Sequence, residues 1–330
     1  MTTLPLIADH HSQDDLRPVA FYLTMITAGI DIGIKTTKVV ILDDNGILAQ
    51  NSVLTGWEPQ QAGENALAAA LAAAHLPRDN VAYIVATGAG RQAFSLAKQD
   101  VTEITADARA IVFLHPQVRT LIDVGAEEAR ALKCTAEGHV ADFAVNEKCA
   151  AGAGVFIETM ARTLELNLDE MGALSLQATG AARLNSQCTV FAESEVVSLI
   201  HAQTPKPEIV RGVYDAIAGR TASLVRRVGV EKEIALVGGL AHNIGFFDAL
   251  KRELGMEVIV PHDPEFIGAL GAALIARESM SLREFHIPRG YVSGQKLAPT
   301  APVVYSGDAI RQAKTVFALV RATARFREWF

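Results

Sequence analysis

The chain has 330 residues, half of them hydrophobic and 20% charged, which is enough for two domains of ordinary size with packed cores. A net charge of -7 and only 6% aromatic residues argue against general nucleic-acid binding. Three cysteines do not make a disulfide framework, and no apolar run is long enough to span a bilayer, so we expect a cytoplasmic protein without a membrane partner. Residues 1–24 do not resemble a signal peptide and are expected to form a disordered leader, the alternative being an upstream choice of start, with the first strand beginning near Met25.

The first third of the chain predicts an α/β unit that opens with a β-meander. Runs rich in Ile and Val predict strands, and Asp44-Asn45-Gly46 predicts the turn between the second and third of them. The predicted elements are strands at 26–34, 37–43, 47–54 and 81–86, and helices at 64–74 and 106–114.

The same pattern then recurs, which indicates an internal duplication of strand, Asp-x-Gly turn, strand, turn, strand. The predicted elements are strands at 120–124, 129–134, 140–145, 234–237 and 258–260, and helices at 153–164, 190–202, 207–228, 244–254 and 267–277, with a further helix possible at 307–329. A chain that alternates strands and helices in this way predicts a mixed α/β fold.

The first Asp-x-Gly turn lies in Asp31-Ile-Gly-Ile-Lys-Thr-Thr-Lys38. Gly33 lets backbone amides approach a phosphate closely, and Thr36 and Thr37 would add hydroxyl and amide donors. The Asp31 carboxylate could hold Mg²⁺ through water, because Mg²⁺ keeps much of its hydration. We therefore expect these residues to bind a polyphosphate.

A second copy of the turn, Asp123-Val-Gly125, would grip the polyphosphate from the other side. Gly238-Gly239 follows a predicted strand and suits a nucleoside that lies against bare backbone, with Asn243 on the first turn of the next helix. Each piece alone has a simpler explanation, a plain turn or a tight joint between strand and helix. Their order in a duplicated chain is more specific, and neither a P-loop nor a dinucleotide-binding motif is present.

Two cysteines precede predicted amphipathic helices, Cys149 in Asn146-Glu-Lys-Cys-Ala-Ala-Gly-Ala-Gly and Cys188 in Cys188-Thr-Val-Phe-Ala-Glu-Ser-Glu-Val. A thiolate at a helix N-terminus favours an anionic metal cluster. A cubane iron–sulfur cluster usually takes four cysteines, which suggests two chains that share one cluster. The alternative is two ordinary buried thiols, and spacing alone does not separate these readings.

These stretches, together with Gly238-Gly-Leu-Ala-His-Asn243 and Gly268-Ala-Leu-Gly-Ala-Ala273, resemble the ATP-hydrolysing activators of 2-hydroxyacyl-CoA dehydratases and the related ATPase subunits of benzoyl-CoA reductase. The resemblance implies a duplicated actin/hexokinase-like (ribonuclease H-like) ATPase fold, with two domains around a nucleotide cleft. It would divide the chain into an ATPase subdomain at 25–117, a second with the cluster ligands at 118–265, a helix at 266–278 that could return to the first, and a tail of unknown role at 279–330.

The resemblance also implies an ATP-dependent electron donor. Two chains would share a [4Fe-4S] cluster through Cys149 and Cys188, and would take electrons from ferredoxin or a flavodoxin-like carrier. Mg²⁺ and ATP would bind at Asp31, Asp123 and the glycine turns, with Lys38 among the contacts. ATP-driven domain closure would then pass the electron to a larger acyl-CoA reductase or dehydratase.

One departure from the family pattern bears on the partner. The second turn commonly reads Asp-Ile-Gly-Gly-Gln-Asp in the family, but here it reads Asp123-Val-Gly-Ala-Glu-Glu128. Glu127 falls where a glutamine would orient or contact phosphate or water. In this respect the chain resembles one of the two unequal ATPase subunits of benzoyl-CoA reductase. We therefore expect a heterodimer with a paralogous ATPase subunit that serves a benzoyl-CoA reductase. The alternative is a homodimeric activator of a dehydratase.

Two other classes stay open at this point. A small-molecule kinase of the same fold would use both aspartates but would give no role to the two cysteines. A non-enzymatic nucleotide-sensing or scaffold protein is the other possibility. Only the electron-transfer reading predicts a brown protein.

Overall fold

The computed structural model describes residues 25–146, 154–184 and 188–284. The first part contains β1 (Ile26–Ile32), β2 (Thr36–Leu42), β3 (Ile47–Leu54), α1 (Pro59–Ala73), β4 (Val81–Thr87), β5 (Gln99–Asp100) and α2 (Glu103–Leu114). The second part contains β6 (Thr120–Val124), β7 (Ala129–Cys134), β8 (Val140–Val145), α3 (Gly154–Thr163), α4 (Leu168–Ser175), α5 (Thr189–His201), α6 (Lys206–Val228), β9 (Ile234–Val237), α7 (Ile244–Leu254) and α8 (Ile267–Glu284).

The duplication predicted from the sequence appears in the two sheets. Their strand orders are β3-β2-β1-β4-β5 and β8-β7-β6-β9. In each sheet the first strand of the repeat pairs antiparallel with the second and parallel with a later strand, β4 in one case and β9 in the other. Because the register is also the same, equivalent residues of the two copies occupy equivalent places.

Two helices rich in small residues lie between the sheets. Helix α8 packs against β1 and β4, and α2 packs against α8 and against β7 and β8. A shared core of buried side chains joins β2, α2 and α8 to β6, β7 and β9. The outer face of the first sheet is covered by α1, whereas helices α3 to α7 build a separate core on the second sheet.

Glycine makes the close approach of α8 possible. A Cβ on Gly29 of β1 would lie 2.0 Å from the carbonyl oxygen of Ala269, and one on Gly271 would lie 1.8 Å from the carbonyl oxygen of Ala106. Backbone atoms cannot rotate away from such a contact as a side chain can. The spacing between the two halves of the molecule therefore depends on these glycines.

Several element boundaries differ from those predicted. Helix α1 begins five residues earlier than expected because Pro59, which suits the first turn of a helix, starts it. The sequence analysis did not predict α4, although the Asn167 amide donates to Glu170 as in a capping box. The strand predicted at 258–260 is a single bridge between Ala235 and Ile259, and Pro261 follows it.

The leader expected at 1–24 and the helix predicted at 307–329 lie outside the described residues. No helix in the described part of the chain is both long and apolar enough to cross a membrane.

Two helical glycines provide a matched test of the packing. We expect Gly271→Ala to lower the free energy of unfolding by roughly 2 kcal/mol, since its methyl group would overlap the α2 backbone. Gly219→Ala in α6, where a Cβ would meet nothing within 4 Å, should be neutral or stabilising by up to about 1 kcal/mol. Thermal unfolding of both variants measures the difference, and an unchanged melting temperature for Gly271→Ala would contradict the packing described.

Candidate active site

A cavity of about 500 Å³ lies between the two halves, large enough for a nucleotide. It is lined by both Asp-x-Gly turns, by the start of α2, by parts of α3 and α4, and by the segment that follows β9. The lining residues that the sequence analysis had singled out are Asp31, Gly33, Thr36, Lys38, Asp123, Gly125, Glu127, Gly238, Gly239 and Asn243.

The two turns have the same backbone geometry. In the first turn (residues 33–36) the amide of Gly33 donates to the carbonyl of Thr36 at 3.1 Å. In the second turn (residues 125–128) the amide of Gly125 donates to the carbonyl of Glu128 at 2.9 Å. Both tight turns enter the same cavity, as the duplication predicts.

Each turn also carries an aspartate that faces a cation across the hairpin. Asp31 lies opposite Lys38 in the β1–β2 register, and Asp123 lies opposite Arg130 in the β6–β7 register. Lys38 Nζ is 3.3 Å from Asp31 Oδ2, and Arg130 Nη1 is 2.8 Å from Asp123 Oδ2. The repeat therefore supplies two buried, opposed carboxylate–cation pairs.

One carboxylate oxygen of Asp31 is buried without a partner. The residue is only 8% exposed, and its Oδ1 has no hydrogen-bond partner. Gly88, at φ +89°, lets that oxygen approach, since a Cβ there would lie 2.6 Å from Oδ1. Burial alone would lower the pKa of Lys38, but the neighbouring carboxylates, Asp31 first, outweigh it and raise that pKa. A hydrated Mg²⁺ fits this unsatisfied oxygen.

Arg130 is the centre of an ion-pair network that the sequence analysis missed. Its guanidinium contacts Asp123, and its Nη2 lies 2.7 Å from Glu103 and 2.5 Å from Glu128. Burial alone would lower the pKa of Arg130, but these carboxylates raise it, so the group stays charged. Burial raises the pKa of Asp123 despite Arg130.

Helix α2 adds two carboxyl groups to the cavity. Burial, with help from Asp31 and Asp123 and against Arg130, raises the pKa of Glu103 to about 7. One turn later, Asp107 is 4% exposed and its Oδ2 has no hydrogen-bond partner. Burial and the charge of Asp123 raise the pKa of Asp107 well above its usual range. Both carboxyl groups beside the turns are therefore more easily protonated than exposed carboxyl groups.

The segment after β9 forms the other end of the cavity. Gly238 has φ +84°, and a Cβ there would lie 2.4 Å from Asp123 Oδ1, so only glycine fits. Gly239 has open space at its Cβ position. Asn243 caps α7, because its Oδ1 accepts a hydrogen bond from the Phe246 amide at 3.0 Å. Bare backbone is therefore available to a nucleoside.

The structure does not bring every expected residue to the cavity. Thr37 is fully buried and does not line the cavity, although its neighbour Thr36 does. The hydroxyl of Thr37 lies 2.9 Å from that of Thr55. Glu127 lines the cavity but is exposed. The residues that sequence reasoning missed are Glu103, Asp107 and Arg130. The seven-residue spacing from Asp31 to Lys38 recurs from Asp123 to Arg130 and could have identified the last of them.

Only one of the two expected cluster ligands lies among the described residues. Cys188 is the N-cap of α5 and is partly exposed, whereas Cys149 lies outside the described part. Val190 and Phe191, next along α5, are 65% and 67% exposed. Cys134 differs from Cys188, since it is buried, and burial raises the pKa of its thiol to about 12.

The surroundings of Cys188 fit one ligand of a cluster. The thiol is partly exposed at the N-terminus of α5, so it can reach a cluster at the surface. Within the described ranges no three His, Cys, Asp or Glu side chains converge on a metal position. A cubane cluster would therefore need ligands from outside those ranges.

Comparisons with known proteins agree with this geometry. A relative from Anaerotignum propionicum, described as an activator of lactoyl-CoA dehydratase, is 42% identical over 255 residues, which cover 77% of this chain and 98% of the relative. A benzoyl-CoA reductase component from Thauera aromatica is 33% identical over 260 residues, which cover 76% of this chain and 92% of that component.

A solved structure of a related protein has the same fold. The activator of the 2-hydroxyisocaproyl-CoA dehydratase from Clostridium difficile, solved with bound ADPNP, superposes with a TM-score of 0.75 at 36% identity, over 82% of this chain and all of that one. The actin/hexokinase-like fold class predicted from the sequence is thereby confirmed. The model of the BadF/BadG/BcrA/BcrD ATPase family matches residues 28–276, and this chain belongs to that family.

Proposed function

We propose that this chain is an ATPase that drives electrons through a shared iron–sulfur cluster into a larger partner enzyme acting on an acyl-CoA. The observation that carries the proposal is the pair of equivalent Asp-x-Gly turns that enter one cavity, each with its aspartate held by a cation. The related activator solved with bound ADPNP supports a nucleotide as the ligand.

The polyphosphate would lie between the two turns. Backbone amides of residues 34–36 and 126–128 would donate to phosphate oxygens, and Lys38 would offset the phosphate charge. Mg²⁺, held through water by the unsatisfied oxygen of Asp31, would neutralise charge that develops on the phosphates. Asp123, fixed by Arg130, would orient the attacking water from the opposite turn.

Direct hydrogen bonds link the second turn to α3. The amide of Gly154 donates to the carbonyl of Gly125 at 2.9 Å, and the amide of Val155 donates to that of Ala126 at 2.8 Å. Helix α3 begins shortly after Cys149 and also contacts α5, which begins after Cys188. A shift of the turn on nucleotide binding would therefore move both helices that follow the proposed cluster ligands.

The proposed cluster would carry one electron at a time between a ferredoxin-like donor and the partner enzyme. This chain would hold the cluster through Cys149 and Cys188, and a second chain would supply the other two cysteine ligands. The position of Val190 and Phe191 on the open face of α5 is consistent with a second chain at this place.

Of the two partner classes, we propose a 2-hydroxyacyl-CoA dehydratase. The relative that is named for a dehydratase is 42% identical, whereas the benzoyl-CoA reductase component is 33% identical. This favours the alternative of the sequence analysis over its first choice. The heterodimer expected from Ala126, Glu127 and Glu128 stays a prediction.

The first prediction concerns ATP hydrolysis. Asp31→Asn or Asp123→Asn should each lower Mg²⁺-dependent turnover by roughly 10²-fold, the scale for loss of a positioned charged group. Steady-state phosphate release measures this, with Asp142→Asn on the exposed face of β8 as the control. If both variants turn over at the wild-type rate, the two turns are not the phosphate-binding part of the active site.

The second prediction concerns the cluster. Anaerobically purified protein should be brown, and Cys149→Ala or Cys188→Ala should abolish bound iron and the visible absorbance, because the thiolates are ligands. Cys134→Ala should retain both, since that thiol is buried and protonated. A colourless wild-type protein, or one that needs Cys134 but not Cys188, would contradict the assignment and favour the kinase or scaffold alternatives.

Native mass spectrometry of the same sample distinguishes a homodimer from a heterodimer with a paralogous ATPase subunit. A cluster-loaded homodimer that alone supports ATP-dependent electron transfer would agree with the dehydratase activator. Loading that requires a co-expressed paralogous chain would agree with the reductase version.

A further inference from the structure

An ion pair crosses the cavity between the two halves of the molecule. The ammonium group of Lys35, in the first turn, contacts Glu158 Oε1 on α3. Both residues line the cavity. This contact joins the first turn to the same helix that the second turn holds through its backbone carbonyls. Lys35 and Glu158 belong to neither Asp-x-Gly motif, and the function proposed above gives their side chains no role.

Lys35 has a fixed backbone and an available side chain. Its carbonyl accepts a hydrogen bond from the Thr55 amide at 3.0 Å, which ties the turn to the end of β3. Its side chain is 49% exposed, and that of Glu158 is 32% exposed. The ammonium group can therefore change partner without any movement of the turn.

The other cations of the cavity are committed to buried carboxylates. Of the lysines and arginines that line it within the described ranges, Lys38 is 16% exposed beside Asp31 and Arg130 is 11% exposed beside Asp123. Moving either one would leave a buried carboxylate without its partner, which is costly. Lys35 can bind an incoming anion after it breaks only one exposed ion pair, and such a pair contributes little free energy.

We propose that Lys35 binds the terminal phosphate of a nucleoside triphosphate, and that Glu158 occupies its ammonium group until the nucleotide arrives. The proposal rests on the nucleotide site proposed above. Glu158 acts as a competing anion, so the exchange of partners frees α3 from the first turn as the phosphate binds. Binding at the first turn thereby reaches the helix that follows Cys149, through differential contacts in the two states.

The test is Mg²⁺-dependent binding of ADPNP and ADP, measured by isothermal titration calorimetry on the full chain. Lys35→Met should weaken ADPNP binding by roughly tenfold, the scale for loss of a charge-assisted hydrogen bond, and should affect ADP less. Glu158→Gln should tighten ADPNP binding by about threefold, because the exposed ion pair no longer competes. The double variant should bind like Lys35→Met alone, since Glu158 acts only through Lys35.

A matched control uses an ion pair away from the cavity. Lys251→Met and Glu257→Gln break an exposed pair at the C-terminal end of α7, outside the cavity lining, and should change neither affinity. Melting temperatures of all variants establish that the folded state is intact.

Three outcomes would count against the inference. If Glu158→Gln weakens ADPNP binding as Lys35→Met does, the ion pair is a structural bridge and not a competitor. If Lys35→Met binds ADPNP as the wild type does, Lys35 is not a phosphate ligand. A wild-type chain that binds neither nucleotide would overturn the proposed function itself, and this inference with it.

Discussion

A buried aspartate beside a single cation, repeated once in each half, is the constraint on which the rest of this molecule depends. Asp31 with Lys38 and Asp123 with Arg130 are taken out of water at equivalent positions of two hairpins. A buried charge is tolerated only with a well-placed partner. This requirement fixes the hairpin register, and it demands glycine at 88 and 238, where any Cβ would meet a carboxylate oxygen. The cavity is what remains between the two pairs.

The two pairs are alike in geometry but not in surroundings. Lys38 contacts one carboxylate, whereas Arg130 contacts Asp123, Glu103 and Glu128. The second wall is therefore held by three ion pairs of one guanidinium, and the first by a single ion pair. Asp31 retains an unsatisfied oxygen, which is why the proposed Mg²⁺ is assigned to the first half. Close packing of α2 and α8 holds the two walls at this separation.

Much of this arrangement could be predicted from the sequence because it is local. The Asp-x-Gly turns, the strands around them and the Gly238-Gly239 joint follow from turn chemistry and from the repeat itself. The structure separates the two threonines of the first turn. Neighbouring strand residues face opposite sides, so Thr36 lines the cavity and Thr37 does not, and the role of Thr37 at the phosphate site stays a prediction.

Other parts of the site depend on contacts between distant segments, which periodicity does not encode. Glu103 and Asp107 lie on a short helix with no distinctive motif, and only the packing of α2 against α8 directs them toward the turns. The link from Lys35 to Glu158 spans 123 residues. The cysteine assignment rested on motif resemblance, and Cys149 lies outside the described residues, so its ligand role is still a prediction.

The measurement that tests the central claim most directly is a crystal structure of the chain with Mg²⁺ and ADPNP. The account predicts the phosphates between residues 33–36 and 125–128, the metal ion beside Asp31, and the nucleoside against Gly238 and Gly239. A nucleotide bound outside this cavity, or phosphates that contact only one of the two turns, would contradict it.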